Sequence, residues 1–174
     1  MAKEFTGMKD YHPRRPEKMM SEKAELLEVI RGQKFMTLAM CKDDDPYLAT
    51  VNYVYDVAQN CFFFHCSPMG KKMDYLKANP KVWGVVVEDR GYLNGECNHA
   101  YRSVQFAGRV EILADSEVKR QGLTRLIDAL EKNPEPVRQR LLEKSDLSGV
   151  GVVKIHVLEM TGKVNPAKKE EAVS

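Results

Sequence analysis

The residues best placed to do chemistry sit together in one stretch, FFFHCSPMGKKMDYLKANP, residues 62–80. A β-prone run ends on His65. A short loop holding Ser67 and Gly70 follows, and Lys71 and Lys72 stand where a helix can begin. The first backbone N–H groups of a helix have no intrahelical acceptor, and the helix dipole favours an anion there. Two lysines add two full positive charges. A phosphate monoester, close to a dianion at neutral pH, suits this arrangement. Each charge-assisted hydrogen bond to it contributes about 1.5–3 kcal/mol. The residues alone leave a second reading open, a solvated lysine pair on an exposed turn. His65 likewise has two readings. It is a proton donor or substrate clamp with an ordinary pKa near neutrality, or a structural histidine that ends an apolar strand. Strand alternation puts it on the face of Phe63 and opposite Phe64.

Other constellations carry less. His65, Cys66, Cys97 and His99 have zinc-ligating side chains, but 65 and 66 are neighbours on a strand and point to opposite faces. The four cysteines, Cys41, Cys61, Cys66 and Cys97, lack CxxC spacing and read as reduced thiols, so no metal is expected. Cys66 would be redox active only if exposed and electropositive. No GxGxxG dinucleotide fingerprint is present. The net charge of +2 is too balanced for nucleic-acid binding by bulk electrostatics. The N-terminal residues contain no apolar signal core, and no apolar run reaches the length of a membrane span. A cytoplasmic protein with no membrane partner is the expectation.

These groups must be positioned by a fold that the hydrophobic pattern outlines. Residues 1–20 are polar and read as an N-terminal arm. Residues 21–31 carry a helical face, either Ala24, Leu27 and Ile30 or Leu26 and Ile30, and Gly32 stops it. KFMTLAMC, YLATVNYVYD and CFFFH read as strands separated by turns at DDDP and QN, an antiparallel meander. A short helix follows over residues 71–78, closed by Asn79-Pro80. VWGVVVED is a strand apolar enough to be covered on both faces. RGYLNGECNHA reads as a loop. YRSVQFAGRVEILAD is a long strand in which Gly108 marks a bulge or bend. Asp115 and Ser116 cap a helix to about Leu130, with Val118, Leu123, Leu126, Ile127 and Leu130 as its buried stripe. Pro134 and Pro136 interrupt it before a further helical turn or two. GVGVVKIHVLEMTG is the last strand, and residues 164–174 read as a mobile tail. Six strands that close into a barrel would leave no free edge.

Four phrases in this order, PYLATVNYVYD, FFFHCSPMGKKMDYLKANPKV, YRSVQFAGRVEILAD and MTGK, resemble the flavin-binding split β-barrel superfamily. That group is related to pyridoxamine 5'-phosphate oxidase, and the phrases are most similar to its nitroimidazole-resistance (Nim-like) branch. The resemblance spans residues 21–163 and implies a mainly β domain with helical additions, a six-stranded antiparallel split β-barrel that binds FMN. It implies that Lys71 and Lys72 contact the FMN phosphate, with Ser67 in the adjoining loop. Thr50, Val51 and Asn52 would lie along the isoalloxazine ring, and Arg102 and Ser103 would contribute from a neighbouring strand. His65 would stand beside the ring's reactive edge as the catalytic residue. Tyr53, Tyr55, Trp83 and Phe106 could wall the ring, although barrel interiors need such residues as core. The implied assembly is a homodimer with FMN at the interface.

The implied activity is flavin-dependent reduction of a small-molecule electron acceptor such as a nitroaromatic or quinone. The alternative is a non-catalytic flavin or haem carrier of the same fold. The C-terminal MTGKVNPAKKEEAVS contains no arginine, which argues against vitamin B6 oxidation. Cys66 and Met69 depart from the Nim-like phrase, so the resemblance carries the cofactor further than the substrate.

Overall fold

The computed structural model of the protein describes residues 15–143 and 146–166. Most of the expected arm (1–14) and of the expected tail (167–174) lies outside the described residues. Among the described residues, eight strands form one antiparallel sheet, with four α-helices against it. In chain order these are β1 (Met19–Met20), α1 (Lys23–Gly32), β2 (Phe35–Lys42), β3 (Asp45–Asn52), β4 (Val54–Asp56) and β5 (Cys61–Cys66). Then follow α2 (Lys71–Ala78), β6 (Lys81–Leu93), β7 (Asn98–Leu113), α3 (Ser116–Leu130), α4 (Pro134–Leu142) and β8 (Gly151–Asn165). The strand order is β3-β2-β6-β7-β8-β5-β4, with β1 paired to β8 beside this path. No helix among the described residues is long and apolar enough to cross a membrane.

The count of eight corrects the expected six, and the sheet is not closed. YLATVNYVYD, read as one strand, breaks at Tyr53. This side chain turns into the core, where its hydroxyl donates to the Ile30 carbonyl at 2.6 Å and its N–H donates to the Lys34 carbonyl. β3 and β4 therefore become separate strands that end the path on opposite sides, joined through one residue. The sheet curls until β3 lies near β5, but among the described residues no hydrogen-bonded ladder closes that gap. The remaining extra strand is β1: Met19 and Met20 at the end of the expected arm pair with Lys163 and Gly162. β8 also runs further than expected. Val164 and Asn165 belong to it, and the buried Asn165 amide donates to the Asn98 side chain and the His99 carbonyl.

Strand alternation divides the apolar residues into two cores. On β5, Phe62 and Phe64 face the barrel interior with Leu38, Val86, Phe106 and Ile155. Cys61 and Phe63 face outward, under Leu123, Leu126 and Ile127 of α3. This accounts for an almost wholly apolar strand. The interior is tightly filled: the Phe62 and Phe106 rings stack with centroids 4.3 Å apart, and a Cβ on Gly84 would fall 2.1 Å from the Phe106 ring. Tyr53 and Phe106 are core residues.

Several local expectations hold and some shift. α2 spans the expected residues, and Asp115 caps α3 by accepting from the N–H groups of Glu117 and Val118 at 2.9 Å. Val118 is exposed and leaves the expected stripe. The bulge lies opposite Gly108, on β8: Ala107 pairs with Glu159 and Gly108 with Val157, so Leu158 is the extra residue. RGYLNGECNHA is a hairpin in which β6 and β7 continue to Leu93 and from Asn98. Gly91, Gly95 and Cys97 absorb its curvature at positive φ.

Candidate functional site

α2 is preceded by Gly70, whose φ of +110° lies where other residues are strained. Gly70 offers no side chain to cap the helix. The opening N–H groups of α2, including those of Lys71 and Lys72, lie beyond the reach of intrahelical bonding. Just before them, the Ser67 hydroxyl accepts from the Met69 N–H at 3.3 Å and shapes the loop.

Aromatic side chains fix where the cations stand. Lys71 Nζ lies 4.8 Å from the centre of the Tyr47 ring and 5.3 Å from that of Tyr75. Those rings are 5.2 Å apart, and the Tyr75 hydroxyl donates to the Asp45 carboxylate. The hydrogen bond to Asp45, then burial, push the Tyr75 pKa up to about 12, so the phenol remains a donor. Asp45 and Tyr47 belong to β3 and Tyr75 to α2. This cluster therefore binds the start of β3 to the start of α2. Lys72 Nζ lies 5.8 Å over the Phe64 ring.

β3 presents the next group of expected residues. Thr50, Val51 and Asn52 follow Tyr47 by three to five positions. Val51 is buried in the barrel, whereas Thr50 and Asn52 are exposed on the outer face. The Thr50 hydroxyl lies 3.4 Å from that of Thr37 across the β2 pair, and the Asn52 amide donates to the Lys34 carbonyl at 3.0 Å. Because β3 ends the strand path, one edge of its backbone faces no neighbouring strand.

His65 lies on the Phe63 face of β5, as alternation predicts, and borders a cavity beneath α3 and α4. Burial, then the positive charge of Lys72, lower its pKa. Cys66 behaves differently: burial raises its pKa against the pull of Lys72, which favours the thiol over the thiolate.

Arg102 and Ser103 are not brought to this group within the chain. They lie on β7, which β2 and β6 separate from β3. The Arg102 guanidinium is engaged by Glu88 of β6 and Glu28 of α1, and Ser103 is buried. Sequence reasoning missed Asp45, Tyr47 and Tyr75. The available signal was the spacing of Lys71 and Tyr75, four residues apart on one helix face. The outer face of β3-β2-β6 also carries exposed Leu48, Phe35 and Val87.

Comparison with known proteins follows the same outline. The model of the family described as pyridoxamine 5'-phosphate oxidase matches residues 22–164. The uncharacterized protein RA0666 of Rhizobium meliloti (strain 1021) is 27% identical over 106 residues, 61% of this chain; the match spans 64% of that relative's length. A candidate 5-nitroimidazole antibiotic resistance protein from Bacteroides thetaiotaomicron superposes with a TM-score of 0.66 at 23% identity, over 84% of this chain and 86% of its own. An FAD- and haem-binding protein from Mycobacterium smegmatis gives a TM-score of 0.70 at 17% identity, over 88% and 78%. At these identities the two structures show a shared fold.

Proposed function

Because the chain belongs to the pyridoxamine 5'-phosphate oxidase family, we propose that it binds FMN and reduces a small-molecule acceptor such as a nitroaromatic or quinone. One observation carries this reading. The uncapped start of α2 bears two lysines, and the first is seated on aromatic rings that tie it to β3. A phosphate needs such donors and charges, and a flat ring needs a neighbouring surface with free backbone groups. β3 supplies that surface. The flavin, when bound, provides electron transfer between a reduced donor and the acceptor.

The chain's own residues then divide the work. Lys71, Lys72 and the α2 N–H groups hold the phosphate, with Ser67 shaping the loop. The free edge of β3 at Thr50–Asn52 orients the ring's polar edge. His65 holds a proton weakly, since burial and Lys72 lower its pKa, so a proton placed there passes readily to an adjacent acceptor. Arg102, paired to Glu28 and Glu88, and Ser103 lie on β7, apart from this group within the chain. The exposed outer face around Leu48, Phe35 and Val87 supports a homodimer in which a second subunit covers β3 and the ring.

The likeness to an FAD- and haem-binding protein favours a second reading, a haem or flavin carrier. The absorption spectrum of the purified protein separates these readings. A flavin spectrum matching FMN at about one per subunit, bleached by NADH or NADPH and restored by a nitroaromatic or quinone, supports the reductase. A bound flavin that neither nucleotide bleaches supports the carrier. A colourless protein that FMN cannot load refutes FMN binding, and a haem Soret band without flavin supports the haem carrier.

A further inference from the structure

The cavity beneath α3 and α4 measures about 390 Å³. It opens to solvent at Glu131, Leu141, Asp146 and Gly149, and its size falls in the range of ligand pockets, which begin at roughly 300 Å³. The surrounding structure props this space open. Near its middle α3 is pressed against the sheet, where a Cβ on Gly122 would fall 2.9 Å from a Val152 methyl. At its C-terminal end, Lys34 Nζ donates to the Leu130 carbonyl at 3.1 Å, and α4 starts at Pro134 after a short turn. Ile127, Leu130, Val137, Leu141 and Val150 line the gap.

We infer that this cavity is a second binding site, for a small uncharged apolar molecule that carries one hydrogen-bond donor. The apolar walls select the body of the ligand. His65 selects the donor: it lines the cavity, burial and Lys72 disfavour its protonation, and a neutral imidazole offers an acceptor nitrogen. Charge selects against anions. The formal charges in the lining are Glu131 and Asp146, and the described lining includes no lysine or arginine. Asp146 is held ionised by the N–H and hydroxyl of Ser148, at 2.7 and 2.9 Å. Lys72 and Lys119 act on His65 and Asp146 from outside the lining. The inference does not rest on flavin binding.

Two dyes that share a skeleton test it. N-Phenyl-1-naphthylamine is neutral with one N–H; 1-anilinonaphthalene-8-sulfonate adds a sulfonate. Both are titrated into the full-length protein by fluorescence, with and without added FMN. The neutral dye is expected to saturate at one per chain in both cases, and the sulfonate to bind at least about tenfold more weakly. Gly149→Trp should lower the neutral dye's affinity about tenfold or more by filling the mouth, where a Cβ meets no atom within 4 Å. Leu141→Trp, from an exposed lining position, is the second such variant and decides the matter if the first fails to fold. Absence of saturable binding overturns the inference, as does equal or tighter binding of the sulfonate. Neutral-dye binding that a folded tryptophan variant leaves unchanged also overturns it, because the dye then sits elsewhere.

Discussion

Reversing the charge of both Lys71 and Lys72 separates phosphate binding from folding, because the two respond by very different amounts. In the folded protein, Lys71 faces two aromatic rings and Lys72 one. At exposed sites a cation–π contact contributes about 0.5–1 kcal/mol, so removing all three contacts costs about 1.5–3 kcal/mol. Glutamates in the first turn of α2 recover about 0.3–1 kcal/mol each from the helix dipole. The net change is about 1 kcal/mol, a Tm shift of about 2–4 °C for a chain of this length. Phosphate binding has no such compensation. Losing two charge-assisted hydrogen bonds costs about 3–6 kcal/mol, and repulsion from the new carboxylates adds to it. The FMN affinity of Lys71→Glu/Lys72→Glu should fall by about two to four orders of magnitude. Riboflavin, which lacks the phosphate, should bind both proteins within about twofold. Flavin fluorescence titrations at low salt, beside thermal melts, measure all four affinities and both stabilities. Unchanged FMN affinity in a folded double variant refutes the phosphate assignment. An equal loss for riboflavin refutes it too, since the lysines would then be supporting the ring.

The fold and the other site groups yield further expectations. Gly84→Ala should lower stability in urea by at least about 1–3 kcal/mol, because its methyl lands on a Phe106 ring already stacked on Phe62; an unchanged midpoint would contradict that packing. His65 binds a proton less readily folded than unfolded, so stability is full above its ordinary pKa of 6.5 and declines as pH falls through the window below it. His65→Gln should flatten that decline, and pH-dependent melts showing identical slopes for both proteins would exclude this cause. Leu48→Lys, on the exposed face of β3, should shift sedimentation from dimer toward monomer; a persistent dimer would place the interface on another surface.

Local chemistry made much of this architecture legible. Gly70, two lysines and Asn79-Pro80 bracket α2, and the Asp115 carboxylate starts α3; such signals act within a few residues. What escaped depends on distant partners. Nothing in YLATVNYVYD marks Tyr53 as a break, because the cause is a hydrogen bond to Ile30, 23 positions away. Met19 and Met20 become a strand only because β8 lies alongside. The cavity combines α3, α4, β5 and the segment before β8, so no local pattern announces it. Arg102 reads as an available cation until Glu28 and Glu88 are seen beside it.

The single-residue link at Tyr53 has a mechanical consequence. Prying apart most neighbouring strands of this sheet would break a ladder of backbone hydrogen bonds. Among the described residues no ladder joins β3 and β5, and separation there costs side-chain contacts alone. The barrel therefore has a built-in seam, pinned near one end by the Tyr53 hydroxyl on α1. A planar guest can lie against the β3 margin without unzipping the sheet.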